Sequence, residues 1–203
     1  MSIITISREF GSGGREVGKR LADVLGYAYY DREIEEDIAQ RMNMDVGYVT
    51  HAMRGGPHSI PLHFGRTLAN PYLVKQQVDI LVEKQRVLKE IAAASNCVIV
   101  GRAADVILEE YHPFKIFVYA DMAYKVKRCV EHAEMGENLT PRELERAIKR
   151  VDAQRAQYHR LYADTEWGRK EAYHLCVNTT GMAIKQVVPP IADYIRCWLA
   201  QQS

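Results

Sequence analysis

The chain has 203 residues, of which 27 are basic and 26 acidic, with 47% hydrophobic residues and four cysteines. That length buries one substantial core without disulfides, and the near cancellation of charge excludes an overall field drawing the chain to nucleic acid or an anionic membrane. Cys97, Cys129, Cys176 and Cys197 form no C-x-x-C pair, which argues against zinc and for buried thiols in a reducing, cytoplasmic setting. No apolar run approaches the roughly 18 residues of a membrane span, and no signal-peptide pattern opens the sequence.

The β-branched run Ile3-Ile4-Thr5-Ile6 predicts a central strand, followed by a loop and a helix in which Val17, Leu21, Val24 and Leu25 share a face. Gly26 stands where a left-handed cap is wanted. Tyr27 to Tyr30 predicts a second strand and Arg32 to Met44 a charged helix. From Val46 to Asn70 the glycines and prolines Gly55, Gly56, Pro57 and Pro61 predict irregular chain. His51, His58 and His63 in that stretch match no zinc spacing, so no metal site is expected. Pro71 to Ser95 predicts one long helix whose apolar positions spread around much of its circumference, which admits deep burial or a homodimer contact. Further strands are expected at Cys97–Val100, Phe114–Ala120 and Leu175–Val177. A final helix follows from Ala183 to Ala200, delayed or kinked by Pro189 and Pro190.

Strands separated by helices imply an α/β domain with a largely parallel sheet, whose ligands collect at the carboxyl ends of the strands. The residues closing the apolar runs are Ser7-Arg8, Asp31-Arg32, Gly101-Arg102, Asp121 and Asn178-Thr179. Three arginines at those ends suit planar capture of phosphate oxygens, against the plainer reading that each pairs with a carboxylate. The strongest local signal is the glycine-rich turn Phe10-Gly11-Ser12-Gly13-Gly14-Arg15, where backbone N–H groups and a helix N-terminus favour an anion. The P-loop pattern G-x-x-x-x-G-K-[ST] would set a lysine at position 14 and a hydroxyl at 15, where this chain has Gly14 and Arg15, with Arg8 at the first glycine. Gly11-Ser12-Gly13 with Asp31 also begins like a dinucleotide fingerprint, but Glu16 would put a carboxylate where that pattern needs a small residue.

Between Arg142 and Lys170 basic residues accumulate among Tyr158, Tyr162 and Trp167. They form either a solvated helix face or a lid that brings Arg150 or Arg155 onto phosphates, with Asp152 orienting an arginine.

Taken together, Ile4 to Glu16, Tyr30-Asp31-Arg32-Glu33, Val98-Ile99-Val100-Gly101-Arg102, Arg150-Val151-Asp152 with Arg155, and Cys176-Val177-Asn178-Thr179 resemble the cytidylate kinase-like family. The resemblance implies a three-layer P-loop NTPase fold of the nucleoside monophosphate kinase kind, with a central, mostly parallel five-stranded sheet in one domain over 1–203. It implies a helical acceptor-binding insert at 32–95 and a lid-like segment at 136–172. ATP with Mg2+ would be the donor and CMP or another small metabolite the acceptor. Phosphates would lie on Arg8, Gly11, Ser12, Gly13, Gly14 and Arg15, the acceptor on Asp31, Arg32 and Arg102, and catalysis on Arg15, Arg150, Asp152 and Arg155. The chain departs from the pattern at Gly14, at Arg15 and at Ala103, where true cytidylate kinases carry an aspartate that contacts the acceptor. The expected function is therefore transfer of the ATP γ-phosphoryl group. A nucleotide-binding regulatory module without transfer is the alternative.

Overall fold

A computed structural model describes residues 1–55, 71–132 and 139–202. Five strands form one parallel sheet in the order β2-β3-β1-β4-β5: β1 is Ile3–Arg8, β2 Ala28–Tyr30, β3 Cys97–Val100, β4 Phe114–Tyr119 and β5 Leu175–Asn178. The helices are α1 (Gly14–Leu25), α2 (Glu33–Met42), α3 (Val46–Gly55), α4 (Pro71–Ala94), α5 (Ala104–Ile107), α6 (Met122–Glu131), α7 (Pro141–His159) and α8 (Ile184–Ala200). The order reverses direction at β1, whose neighbours are β3 and β4, so the crevice for ligands opens above the carboxyl end of β1.

Side chains alternate across each strand, and the sheet is covered on both faces for that reason. Ile4, Ile6, Val98, Val100, Ile116 and Val118 pack with Val17, Leu21, Val187, Ile191 and Ile195 of α1 and α8. Ile3, Cys97 and Ile99 point the other way, onto Ile34, Ile38, Val49, Met53, Ile80 and Leu88 of α2, α3 and α4. Full burial of each such Ile, Leu or Val contributes about 1.5–3 kcal/mol. A third small cluster joins α6 to α7 through Cys129, Leu144 and Ile148, with Phe10 of the glycine loop against it.

Three expectations are corrected. Residues 46–55 are helical where irregular chain is expected: the Asp45 carboxylate accepts from the Tyr48 amide at 2.9 Å, and Val49, Ala52 and Met53 bury one face. Residues 56–70, with His58 and His63, lie outside the described residues. Pro189 and Pro190 do not delay α8, which begins at Ile184 and runs through both. They lie on its exposed side, where the carbonyls of Lys185 and Gln186 that they leave unpaired meet water. Cys97 and Cys129 are buried thiols as expected, whereas Cys197 is exposed. Among the described residues no helix is long and apolar enough to cross a membrane.

A close backbone approach stands at the start of α1. A Cβ on Gly14 would lie 2.5 Å from Cβ and 3.0 Å from Cγ of Arg8, and 3.2 Å from Cβ of Val118. These atoms belong to rigid strand residues, so Gly14→Ala is expected to destabilise the protein by about 1–3 kcal/mol in chemical denaturation. A change under about 0.5 kcal/mol would mean that the strand yields there.

Candidate active site

The loop from Glu9 to Gly13 is built to leave amides open. Gly11 and Gly13 have left-handed φ of 76° and 80°, which glycine alone adopts without cost, and α1 starts directly after them. The alternation of left- and right-handed residues turns successive N–H groups inward, and those of Gly11, Gly13, Gly14 and Arg15 meet no acceptor among the described residues. The loop is held from below. The Ser12 hydroxyl donates to the carbonyls of Glu9 and Val118 at 2.8 and 3.2 Å, and the Thr179 hydroxyl donates to the Ser12 carbonyl at 2.7 Å. Both nearby glutamates are turned to other partners. Glu9 accepts from Lys125 Nζ at 2.9 Å, and Glu16 from Arg20 and Arg128 at 2.8 and 2.6 Å.

Beside the loop, arginines gather around one carboxylate. Asp31, buried at the end of β2, lies 2.5 Å from Arg15 Nε, 3.3 Å from Arg102 Nη2 and 3.8 Å from Arg8 Nη2. Arg102 also donates to buried Glu35 at 2.8 Å. The Arg8 stem passes over Gly14 and its guanidinium lies against Gly101, where a Cβ would stand 1.8 Å from Nη1. Burial, with Arg155, Arg102 and Arg15 close by, disfavours the charged form of Arg8, and Asp31 opposes that only in part. Gly101, Arg102 and Ala103 all have left-handed φ, between 54° and 76°. For the two that carry side chains this is local strain of the kind that collects at functional sites.

The lid expectation divides. Arg155 turns inward from α7, donates to the Arg8 carbonyl at 2.8 Å, lies 3.7 Å from Asp152 and covers the Phe10 ring at 5.5 Å. Asp152 accepts from the Phe10 amide at 2.7 Å and from Lys125 Nζ at 3.3 Å, and its burial raises its pKa. Arg150 is exposed and lines none of the cavities described, as five residues of helical twist turn it well away from Arg155. Arg142, Arg146, Lys149, Arg160, Arg169 and Lys170 are likewise exposed.

Two cavities meet here. One of about 280 Å³ runs over the glycine loop between Gly11, Gly13, Gly14, Lys19 and Arg128. The other, about 380 Å³, is walled by Arg32, Met53, Arg102, Gln154 and Tyr158. Arg8, Phe10, Arg15 and Arg155 line both. A larger cavity of about 820 Å³, beside Lys115, His174 and Trp198, is lined by no residue of the loop. Size alone would favour it, but the unengaged amides and clustered guanidinium groups lie at the two smaller ones, and chemistry decides between them.

The sequence profile of the cytidylate kinase-like family matches residues 3–181. The chain belongs to that family. No curated protein matches it. Among solved structures, an uncharacterized protein from Eubacterium ventriosum is 24% identical with a TM-score of 0.70, over 97% of this chain and 99% of its own. A shikimate kinase from Bacteroides thetaiotaomicron is 15% identical with a TM-score of 0.59, over 96% and 98% of the two chains. One from Acinetobacter baumannii, solved with shikimate, is 14% identical with a TM-score of 0.55, over 97% and 94%. At these identities the likeness is one of fold, and that fold is the P-loop kinase one.

The family resemblance implies Mg2+ travelling with ATP, and the residues present do not fit it. Magnesium takes oxygen ligands in near-ideal octahedral geometry. The hydroxyl of a P-loop is replaced by Arg15, and the Ser12 hydroxyl is spent beneath the loop. Among the described residues, only Glu9 and Glu16 bring carboxylates to the loop cavity, both already held by cations, and the arginine-lined cavity has none. Asp121 lines neither. Among the described residues no group of three or more His, Cys, Asp or Glu is arranged to hold a metal ion.

Sequence reasoning missed Lys84, Glu35 and Lys125. Lys84 is wholly buried in α4, and its Nζ donates to the Arg102 carbonyl at 3.1 Å, to the Tyr162 hydroxyl at 2.9 Å and to the Tyr158 hydroxyl. It thus ties the strained Arg102 turn to the helix that carries Arg155. The signal was its place in the apolar stripe, four residues after Ile80 and four before Leu88. Burial, then Arg102, lowers its pKa. In the unfolded chain lysine keeps its proton to about pH 10.4. Between the lowered folded value and that limit the unfolded state binds more protons, so this group makes stability rise with pH. Denaturation at about pH 7 and about pH 9.5 is therefore expected to show a stability advantage of wild type over Lys84→Met that widens with pH. Parallel profiles would contradict a lowered Lys84.

Proposed function

We propose that the protein is a phosphotransferase that moves the γ-phosphoryl group of ATP to the phosphate of a nucleoside monophosphate, with CMP the first acceptor to test. The observation carrying this reading is the meeting of the loop cavity and the arginine-lined cavity at Arg8, Phe10, Arg15 and Arg155. Donor phosphates occupy the loop, where open amides and the N-terminus of α1 complement negative charge. An acceptor that is itself anionic suits the second cavity, which has Arg32 and Arg102 on its walls and no carboxylate among the described residues.

In the transfer, an oxygen of the acceptor phosphate forms a bond to the γ-phosphorus as the bond from that phosphorus to the β–γ bridging oxygen breaks. The electron pair leaves with ADP. A phosphate oxygen needs no general base, so the protein's work is positioning and charge stabilisation. Arg8, Arg15 and Arg155 lie around the junction and serve the phosphoryl group as its charge spreads. Asp152 positions Arg155, and Asp31 and Arg102 shape the acceptor side. Arg150 has no part in this assignment.

Purified protein with ATP and a panel of nucleoside monophosphates, assayed for ADP with and without Mg2+, tests the reading. Arg155→Ala is expected to lower turnover by about 10³-fold or more while triphosphate affinity stays within about 1 kcal/mol. Arg150→Ala is expected to change turnover by no more than about twofold, as an exposed side chain outside the cavities does. Gly14 at the lysine position favours the second reading, a nucleotide-binding module without transfer. Triphosphate binding with no turnover on any acceptor would establish that reading instead.

A further inference from the structure

We propose that guanidinium groups take the place of the divalent cation at this site, so that the protein binds metal-free nucleoside triphosphate. This rests on the functional reading above and concerns the same cavities. Three observations carry it together. The position of the metal-binding hydroxyl is taken by Arg15, which reaches Asp31 at 2.5 Å. The position of the phosphate lysine is Gly14, and the space above it holds the Arg8 stem, so a side chain at 14 is excluded and the cation arrives from the strand end. The carboxylates near the loop are already engaged by cations: Glu9 by Lys125, Glu16 by Arg20 and Arg128, Asp31 by Arg8, Arg15 and Arg102, Asp152 by Lys125 and Arg155.

The charge count at the junction has the sense an anion needs. Arg8, Arg15 and Arg102 face the carboxylates of Asp31 and Glu35, and Arg155 faces Asp152. Arg8 is poorly compensated, since its nearest carboxylate oxygen, Asp31 Oδ1, is 3.8 Å away and shared with Arg102, while Arg15 takes the other oxygen. A ligand with three or four negative charges relieves this repulsion, and a magnesium complex of the same ligand brings fewer. Guanidinium groups also supply the fork of N–H donors that a bare phosphate accepts. The preferred ligand class is therefore a free polyphosphate ester.

Calorimetric titration of the full chain with ATP, in buffer with excess EDTA and in buffer with Mg2+, tests this. ATP is expected to bind in EDTA at least as tightly as with Mg2+, to within about threefold. Arg15→Thr, which restores the hydroxyl of the ordinary pattern at a half-exposed side chain, is expected to lose about tenfold or more in EDTA and less with Mg2+. A wild-type affinity more than about threefold weaker in EDTA, or equal losses for Arg15→Thr in both buffers, overturns the substitution of arginine for metal and leaves the phosphotransferase reading intact. No ATP binding in either buffer overturns both.

Discussion

Asp31 holds the site together. One buried carboxylate touches three guanidinium groups, from the end of β1, the first turn of α1 and the turn after β3. A buried charge cluster of this kind is costly unless every partner is satisfied, and here positive charge outweighs negative. The same contact fixes the spatial relation of three chain segments that are far apart in sequence. An anion delivered to the junction completes a charge set that the protein leaves short.

The second constraint is steric. Arg8 can pass over α1 only because residue 14 is glycine, and can lie against the turn after β3 only because residue 101 is glycine. Each glycine makes room for the same side chain. The departures from the P-loop pattern at positions 8, 14 and 15 are therefore one linked change: the cation moves from the helix to the strand end, and the helix position that would hold a metal turns to Asp31. On the other side, Lys84 fastens the strained Arg102 turn to α7, so the wall of the arginine-lined cavity and the residue lining its junction, Arg155, share one buried connection.

Much of the fold was legible in the sequence, since short apolar runs ending in glycine or charge mark strands covered on both faces, and all five were read. Helix α3 was obscured by the neighbouring glycines and prolines, and the prolines of α8 misled because burial of Val187, Val188 and Ile191 outweighs the carbonyls left to solvent. The glycine loop and the strand-end arginines could be picked out because their residue types are unusual at those places. Which partner each arginine takes could not, because Arg15 and Asp31, or Arg155 and the Arg8 carbonyl, meet only through tertiary packing. Arg150 and Arg155 looked alike in a basic stretch, and only the orientation of α7 separates them. Lys84 was passed over because a lone charge in an apolar stripe is easily read as a solvated edge.

The most direct measurement is a crystal structure with a non-hydrolysable ATP analogue and CMP. The account predicts terminal phosphate oxygens within hydrogen-bond distance of the amides of Gly11 to Arg15, with the Arg8 guanidinium on the γ-phosphate and the CMP phosphate facing it from the arginine-lined cavity. Phosphates seated elsewhere, with the amides of the loop turned away or the larger cavity beside Trp198 occupied instead, would contradict it.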